Sequence, residues 1–283
     1  MNGKLRIANG SFSILNSPFP IPMSRFLTTL IYGLSSVIGV VAFAYPFLLP
    51  GLTQLGEGTA VRTSDAPLLT TLLLLLCLGV LLLEIQGQAV SAKIVAALGM
   101  LVAVTAALRF LEVAIPGPGG FSPIFAPIIL CGYVFGGRFG FLLGAMTLLV
   151  SGLITGGIGP WLPYQMFAAG WVGLTAGWLP KSAQPGRELL LLAAFGFGWG
   201  LLFGFIMNLY FWPFVAGDPA LSWQPGAGLL AGVTRYTTFY IATSLLWDVA
   251  RGGGNMLLLL VLGTPTLRAL RRFRDRFGFE VVG

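Results

Sequence analysis

Leu189-Leu-Leu-Leu-Ala-Ala-Phe-Gly-Phe-Gly-Trp-Gly-Leu-Leu-Phe-Gly-Phe-Ile-Met-Asn-Leu-Tyr-Phe211 is a continuous apolar stretch that contains no charged residue. As a helix it is long enough to cross about 30 Å of hydrocarbon, which takes roughly 20 apolar residues. Its apolar residues do not alternate with polar ones, so the stretch lacks the period-two pattern of an outer-membrane barrel strand. Because only helices and closed barrels satisfy the backbone in lipid, the stretch predicts an α-helical membrane protein.

The rest of the chain has the same character. Of its 283 residues, 56% are hydrophobic and 9% are charged, whereas about 25% charged residues are usual in soluble domains. The chain as a whole is therefore predicted to be an all-α integral membrane protein, an eight-helix bundle. The predicted spans lie near residues 26–49, 68–84, 92–115, 121–136, 139–155, 164–179, 188–211 and 229–262.

The distribution of basic residues predicts the orientation of the bundle. When the gaps between spans are assigned alternately to the inside and the outside, only Arg62 falls in an outer gap. The positive-inside rule then places both termini in the cytoplasm. The C-terminal basic cluster, residues 268–276, is interpreted as a stop anchor or a contact for anionic lipid rather than a nucleic-acid site. The other inner cations are Lys4, Arg6, Arg25, Lys93, Arg138, Lys181 and Arg187.

The sequence argues against an enzyme. It contains no histidine, which removes the usual general base and the commonest metal ligand. It also contains no glycine-rich phosphate loop that ends in Gly-Lys-Ser or Gly-Lys-Thr. No catalytic residue, metal or cofactor is expected, and any nucleotide-driven step must be supplied by another subunit.

Two parts are predicted on either side of a short polar hinge, Glu84-Ile-Gln-Gly-Gln-Ala-Val-Ser91. Residues 1–88 are interpreted as a two-helix N-terminal extension. Residues 89–283 are interpreted as a six-helix substrate-binding core with a basic cytoplasmic tail.

Small residues recur at helical spacing in the six-helix core and predict close helix packing. Three of these rows are Gly136/Gly140/Gly144, Gly170/Gly173/Gly177 and Gly196/Gly200/Gly204. A further row on the first core helix is a candidate contact for a separate helical subunit, with internal packing as the alternative. We call it the small-residue strip, and it consists of Ala92, Ala96, Gly99, Ala103 and Ala107.

Polar and aromatic residues near the predicted outer helix ends form a candidate substrate site. Charges are costly in a membrane, so Arg109 and Glu112, three residues apart, either pair structurally or face a ligand. The aromatic residues either line a pocket for a medium-sized, partly aromatic ligand or anchor the chain at the interface. Asn208 and Trp212 are expected to face one pocket. The candidate site residues are Arg109, Glu112, Trp161, Tyr164, Gln165, Asn208, Trp212, Arg235, Tyr236 and Tyr240.

Asp248 and Arg251 are also three residues apart and precede Gly252-Gly-Gly254. They are interpreted as a structural charge pair at a break or bend of the last long helix.

Two strings carry a family resemblance: Gly159-Pro-Trp-Leu-Pro-Tyr-Gln-Met166 and Thr243-Ser-Leu-Leu-Trp-Asp-Val-Ala-Arg-Gly252. Together with an Ala-x-x-x-Ala pattern in the small-residue strip, they resemble the S components of energy-coupling factor (ECF) transporters over residues 89 to 275. The resemblance implies a substrate-binding subunit in a bacterial or archaeal plasma membrane. It would capture a vitamin, such as a cobalamin-like or other ring-containing one, and dock on a transmembrane coupling subunit driven by two cytoplasmic ATPases.

Two other functions remain open from the residues alone. One alternative is a self-sufficient secondary transporter, although the sequence shows only weak signs of the internal repeats and broken helices that are usual in that class. The other is a structural or assembly membrane protein without a small ligand. The two extra N-terminal helices also depart from the usual S-component pattern.

Overall fold

The computed structural model describes residues 25–54, 66–87, 92–114, 121–214, 218–224 and 228–277, and the regular structure in these ranges is helical. The predicted all-α class is confirmed there. The helices are α1 (Arg25–Gln54), α2 (Ala66–Gly87), α3 (Ala92–Ala114), α4 (Phe125–Phe135), α5 (Gly137–Thr155), α6 (Leu162–Ala176), α7 (Pro185–Phe211), α8 (Leu229–Thr243) and α9 (Leu245–Phe277).

The predicted count of eight spans is not confirmed, because the segment near 229–262 consists of two helices. α8 ends at Thr243, the backbone of Ser244 leaves the helical conformation with φ −128° and ψ −29°, and α9 begins at Leu245. The break predicted as one alternative at Asp248 and Gly252–Gly254 does not occur, since α9 continues through this region. The glycines there serve close packing instead: a Cβ atom on Gly254 would overlap the ring of Phe121.

Among the residues that the structure describes, four helical segments are long and apolar enough to cross a membrane. They are Ile94–Ala114, Gly137–Thr155, Pro185–Phe211 and Leu245–Arg276. Shorter apolar helices cover Leu30–Ala44, Thr70–Gly79 and Phe125–Phe135. This helix set is that of a membrane-embedded bundle.

The glycine rows allow two pairs of helices to pack backbone against backbone. Between α5 and α6, a Cβ atom on Gly140 would overlap the carbonyl oxygen of Gly173, and a Cβ atom on Gly173 would overlap that of Gly140. Between α7 and α9, a Cβ atom on Gly200 would overlap the Cα atom of Gly252. The predicted close helix packing is confirmed at these contacts.

The N-terminal helices α1 and α2 pack on α6 and α7. The Tyr164 hydroxyl donates a hydrogen bond to Thr70 Oγ1 at 2.6 Å, and Trp171 Nε1 donates to Ser36 Oγ at 3.3 Å. The ring of Phe43 packs edge-on against Tyr164, with 5.0 Å between centroids. α3 packs on α5. The extension therefore covers the side of the core formed by α6 and α7. The boundary at residue 88 stays a prediction, and residues 88–91 lie outside the described ranges.

Candidate substrate-binding site

A cavity of about 370 Å³ lies among α3, α6, α7 and the junction of α8 with α9. We call it the outer cavity, because the predicted orientation puts this end of the bundle outside. Ionisable, amide and hydroxyl side chains share its wall with aromatic and aliphatic ones, and a pocket of that composition suits a polar ring compound. Its lining consists of Arg109, Glu112, Ser122, Ile124, Phe125, Leu148, Gln165, Phe203, Gly204, Met207, Asn208, Ser244, Trp247, Asp248 and Arg251.

The first polar group of the outer cavity is a pair from the end of α3. Arg109 Nη1 donates to Glu112 Oε1 at 2.9 Å, as the three-residue spacing allows. Ser122 Oγ donates to the other carboxylate oxygen, Glu112 Oε2, at 2.6 Å. Both oxygens of Glu112 are thus engaged, whereas Arg109 has five N–H donors and uses one of them in this pair. Arg109 is therefore the member of the pair with donors to spare for a ligand.

The second polar group is the ion pair of Asp248 with Arg251. Arg251 Nη1 donates to Asp248 Oδ1, and the Arg251 guanidinium lies over the Phe203 ring, 5.8 Å from its centroid. Asp248 Oδ2 makes no hydrogen bond of ordinary geometry within the described residues, although Tyr240 lies beside the carboxylate. The predicted charge pair is present, and in addition it lines the cavity and leaves one acceptor oxygen available.

Gly204 on α7 is the reason that this carboxylate fits between two helices. A Cβ atom at position 204 would overlap both carboxylate oxygens of Asp248. One turn further along α7, Asn208 Nδ2 donates to the Gly204 carbonyl oxygen at 2.9 Å, which fixes the amide at the cavity wall. The second amide, Gln165, comes from the first turn of α6 and is half-buried.

Two predicted site residues near Gln165 lie away from the outer cavity. Tyr164 is fully buried, and its ring lies 4.2 Å from that of Tyr210, on the side of α6 that meets α2. Trp161 is 42% exposed and lines a separate apolar groove, and its Nε1 donates to the Gly157 carbonyl oxygen at 3.2 Å. Adjacent positions on a helix point about 100° apart, which separates Tyr164 from Gln165. Trp161 precedes α6 and lines the apolar groove, so of these three residues only Gln165 lines the outer cavity.

Trp212, Tyr236 and Tyr240 belong to a buried aromatic cluster with Phe239, and none of them lines the outer cavity. Trp212 Nε1 donates to the Leu221 carbonyl oxygen at 2.7 Å, and the Tyr236 hydroxyl donates to that of Phe205. The expectation that Asn208 and Trp212 share one pocket is therefore wrong for this cavity. The Trp212 backbone is still helical and its N–H donates to the Asn208 carbonyl oxygen, but its ring packs into the aromatic cluster instead of lining the cavity.

Arg235 lies on α8, one residue before Tyr236, and also stays outside the outer cavity. Its Nη1 is buried and has no hydrogen-bond partner within the described residues.

Several lining residues were not predicted. Ser244 and Trp247 stand inside the quoted string of residues 243 to 252, so the string itself was the available signal. Ser122 had no signal, because isolated serines are common. Phe203 and Met207 had none either, because apolar side chains in a membrane helix usually face lipid or core.

The small-residue strip forms a second candidate surface, on α3. Ala96, Gly99, Ala103 and Ala107 are exposed, and a Cβ atom added to Gly99 would meet nothing within 4 Å. The opposite face of α3 is buried and includes Ala97, Val102 and Ala106. The side chain of Ala92 lies outside the described part of the chain.

A family model described as "ECF-type riboflavin transporter, S component" matches residues 89–271, which is more than half of the chain. The chain belongs to the ECF S component family. S components are substrate-binding membrane subunits of ECF transporters, and the match includes every residue that lines the outer cavity. α1 and α2 precede the matched region. Neither a curated protein nor a solved structure shows significant similarity to this S component.

Proposed function

We propose that this S component captures riboflavin, or a flavin of similar size, in the outer cavity and delivers it across the membrane. Docking on a transmembrane coupling subunit, driven by two cytoplasmic ATPases, would complete the transport step in a bacterial or archaeal plasma membrane, with both termini in the cytoplasm. The observation that carries the proposal is the polar-lined outer cavity, which lies within the region matched by a riboflavin S-component model.

The size of the outer cavity supports a flavin. Its volume of about 370 Å³ is near the lower end of the roughly 300–1,000 Å³ that is usual for ligand pockets. Riboflavin combines one tricyclic ring with one ribityl chain and is a ligand of this class. A corrinoid such as cobalamin is several times larger, so the size of the cavity favours a flavin over a corrinoid.

The lining chemistry supports the same ligand. Phe125, Phe203 and Trp247 offer apolar and aromatic walls for a flat ring. The flavin ring carries carbonyl oxygens and an N–H group, and the ribityl chain carries hydroxyls. Arg109 can donate to a carbonyl, and Asp248 Oδ2 can accept from an N–H or hydroxyl group. A ligand donor at Asp248 Oδ2 would satisfy a buried carboxylate oxygen, which is costly to leave unpaired.

The exposed strip on α3 supports the docking step. Small side chains allow another helix to approach closely, and the extension packs on α6 and α7 and leaves Ala96, Gly99, Ala103 and Ala107 exposed. We therefore assign the small-residue strip to the coupling subunit within this proposal.

Ligand binding by the purified chain tests the proposal. The full chain in detergent is analysed by mass spectrometry for a co-purified flavin and is then titrated with riboflavin, with tryptophan fluorescence as the signal. We expect submicromolar affinity and quenching, because Trp247 lines the cavity. Replacement of Trp247 by Phe should remove much of the quenching, whereas replacement of Trp178, which is exposed away from the cavity, should not. Absence of submicromolar binding to riboflavin would contradict the flavin assignment, and its absence for a whole vitamin panel would contradict the S-component function.

A further inference from the structure

A second cavity, of about 340 Å³, lies at the opposite end of the bundle, which the predicted orientation places in the cytoplasm. We call it the inner cavity. α4, α7, α9 and the loop between α6 and α7 all contribute to it, so it is built from elements distant in sequence. Its polar lining consists of Tyr133, Lys181, Ser182, Glu188, Arg271 and Arg274.

The floor of the inner cavity is a neutralised buried acid. Glu188 is 3% exposed, and its Oε1 accepts hydrogen bonds from the Tyr133 hydroxyl at 2.6 Å and from Arg271 Nη2 at 2.5 Å. This network joins α4, α7 and α9. Because Glu188 and Arg271 compensate each other, they fix the shape of the cavity without determining its net charge.

The remaining two cations give the inner cavity an excess of positive charge. Lys181 Nζ lies 3.5 Å from the centroid of the Tyr133 ring and donates to the Tyr133 carbonyl oxygen, and it forms no salt bridge within the described residues. Arg274 pairs with its neighbour Asp275 at 3.1 Å, and the Asp275 side chain is 65% exposed. Both pairings leave donors for an anion.

The pKa of Lys181 is lowered, as expected for a partly buried lysine that lies near more cations than anions. Partial burial of its ammonium group lowers the pKa of Lys181 to about 8, the charges of Arg271 and Arg274 act in the same direction, and only Glu188 opposes them. An anion placed among these cations would stabilise the protonated lysine.

We propose that the inner cavity binds the phosphate group of an anionic phospholipid from the cytoplasmic leaflet. A phosphate oxygen is a strong acceptor for ammonium, guanidinium and hydroxyl donors, and Lys181, Arg274 and Ser182 supply one of each. The Ser182 hydroxyl donates to the Gln184 carbonyl oxygen at 3.4 Å, a long bond that a phosphate oxygen can replace. The site also stands at headgroup level: Trp178, three residues before Lys181, is 71% exposed, as is typical of an interfacial aromatic residue. The choice of leaflet rests on the predicted orientation and not on the identity of the transported substrate.

Native mass spectrometry of the full chain tests this site, with dioleoylphosphatidylglycerol as the anionic probe and dioleoylphosphatidylcholine as the zwitterionic one. The cavity variant carries Lys181→Met and Arg274→Gln. The control variant carries Arg272→Gln and Arg276→Gln, which lose the same charge at exposed positions that do not line the inner cavity. We expect phosphatidylglycerol to bind about tenfold more weakly to the cavity variant and less than about threefold more weakly to the control.

If phosphatidylglycerol binding is weakened equally in both variants, the lipid is attracted diffusely to the basic end of α9 and the proposed site is overturned. Unchanged phosphatidylglycerol binding in the cavity variant would also overturn it. Displacement of phosphatidylglycerol by millimolar inorganic phosphate, with the same dependence on Lys181 and Arg274, would assign the site to a soluble phosphate and overturn the lipid source. If the double variant does not fold, the single variant Lys181→Met, which changes a residue in an exposed loop, replaces it in the lipid-binding measurement. Riboflavin titration of each variant is a separate readout, so a failed lipid site and a failed flavin site are distinguishable.

Discussion

At the scale of single residues, Asp248 has the surroundings that most clearly indicate a bound ligand. Its carboxylate is buried, and Gly204 makes the room for it. One of its oxygens is paired with Arg251, while the other faces no partner of ordinary geometry within the described residues. A group in this condition is stabilised by any N–H or O–H donor that enters the outer cavity.

Replacement of Asp248 by Asn should therefore lower riboflavin affinity by about 10- to 100-fold, because a hydrogen bond to a charged group contributes roughly 1.5–3 kcal/mol. The measurement is a riboflavin titration of the purified variant by tryptophan fluorescence. Asp275→Asn is the matched control, since Asp275 is exposed at the far end of α9, and it should bind as the unmodified chain does. An unchanged dissociation constant for Asp248→Asn would remove this carboxylate from the site.

Gln165 and Tyr164 offer a sharper comparison, because they are adjacent but face different neighbours. Gln165→Leu should weaken riboflavin binding by about three- to tenfold, the effect of one neutral hydrogen bond. Tyr164→Phe should leave the affinity unchanged and lower the melting temperature in detergent, because it removes the bond to Thr70 that joins α6 to α2. The opposite pattern, with Tyr164→Phe as the variant defective in binding, would place the ligand on the other side of α6.

The same pair shows what residue types can and cannot predict. Arg109, Glu112, Gln165 and Asn208 were predicted as site residues and line the outer cavity, because polar groups near one end of apolar helices are rarely placed without a partner. Tyr164 and Trp212 have the same composition signal but pack inside the bundle. An aromatic ring is stable both in a core and at a cavity wall, so only the rotation of each helix decides between them.

At the scale of elements, the positions of glycines correctly predicted which helices pack closely, but they did not predict where a helix breaks. The rows at Gly140 and Gly200 bring helices together, as expected. Gly252–Gly254, interpreted as part of a break or bend, lies inside a continuous helix, and the break falls about two turns earlier, at Ser244. Since glycine permits both close approach and distorted backbone, its presence alone does not distinguish the two.

α3 is the element for which a single substitution should separate binding from transport. Ala96→Trp adds a large ring to the exposed small-residue strip and should abolish transport and association with the coupling subunit while riboflavin affinity stays the same. Val95→Trp is the control, since Val95 is also exposed and points about 100° away at nearly the same depth. Co-purification with the coupling subunit and uptake in cells are the measurements. Normal uptake by Ala96→Trp would exclude the strip from the docking step.

At the scale of the whole molecule, the region between the outer and inner cavities bears on how transport is driven. α7 has no Asp, Glu, Lys or Arg from 189 to 211, and α9 has none from 252 to 267. Where these helices meet, Gly196 lies against Leu259 and Asn255, and Gly200 lies against Gly252. Carriers driven by an ion gradient usually place ionisable residues along the path inside the membrane, and this seam holds only a neutral amide.

We therefore expect that the chain alone, reconstituted in vesicles, does not accumulate riboflavin when a proton or sodium gradient is imposed. Accumulation should appear when the coupling subunit and its two ATPases are added with ATP, because the energy must then enter through docking rather than through charges within this bundle. Radiolabelled riboflavin inside the vesicles is the measured quantity, and a vesicle with ATPases but a non-hydrolysable nucleotide is the control. Accumulation by the chain alone under an ion gradient would instead identify a secondary transporter. The groups to examine for ion coupling would then be the ionisable residues that line the outer cavity, Arg109, Glu112, Asp248 and Arg251.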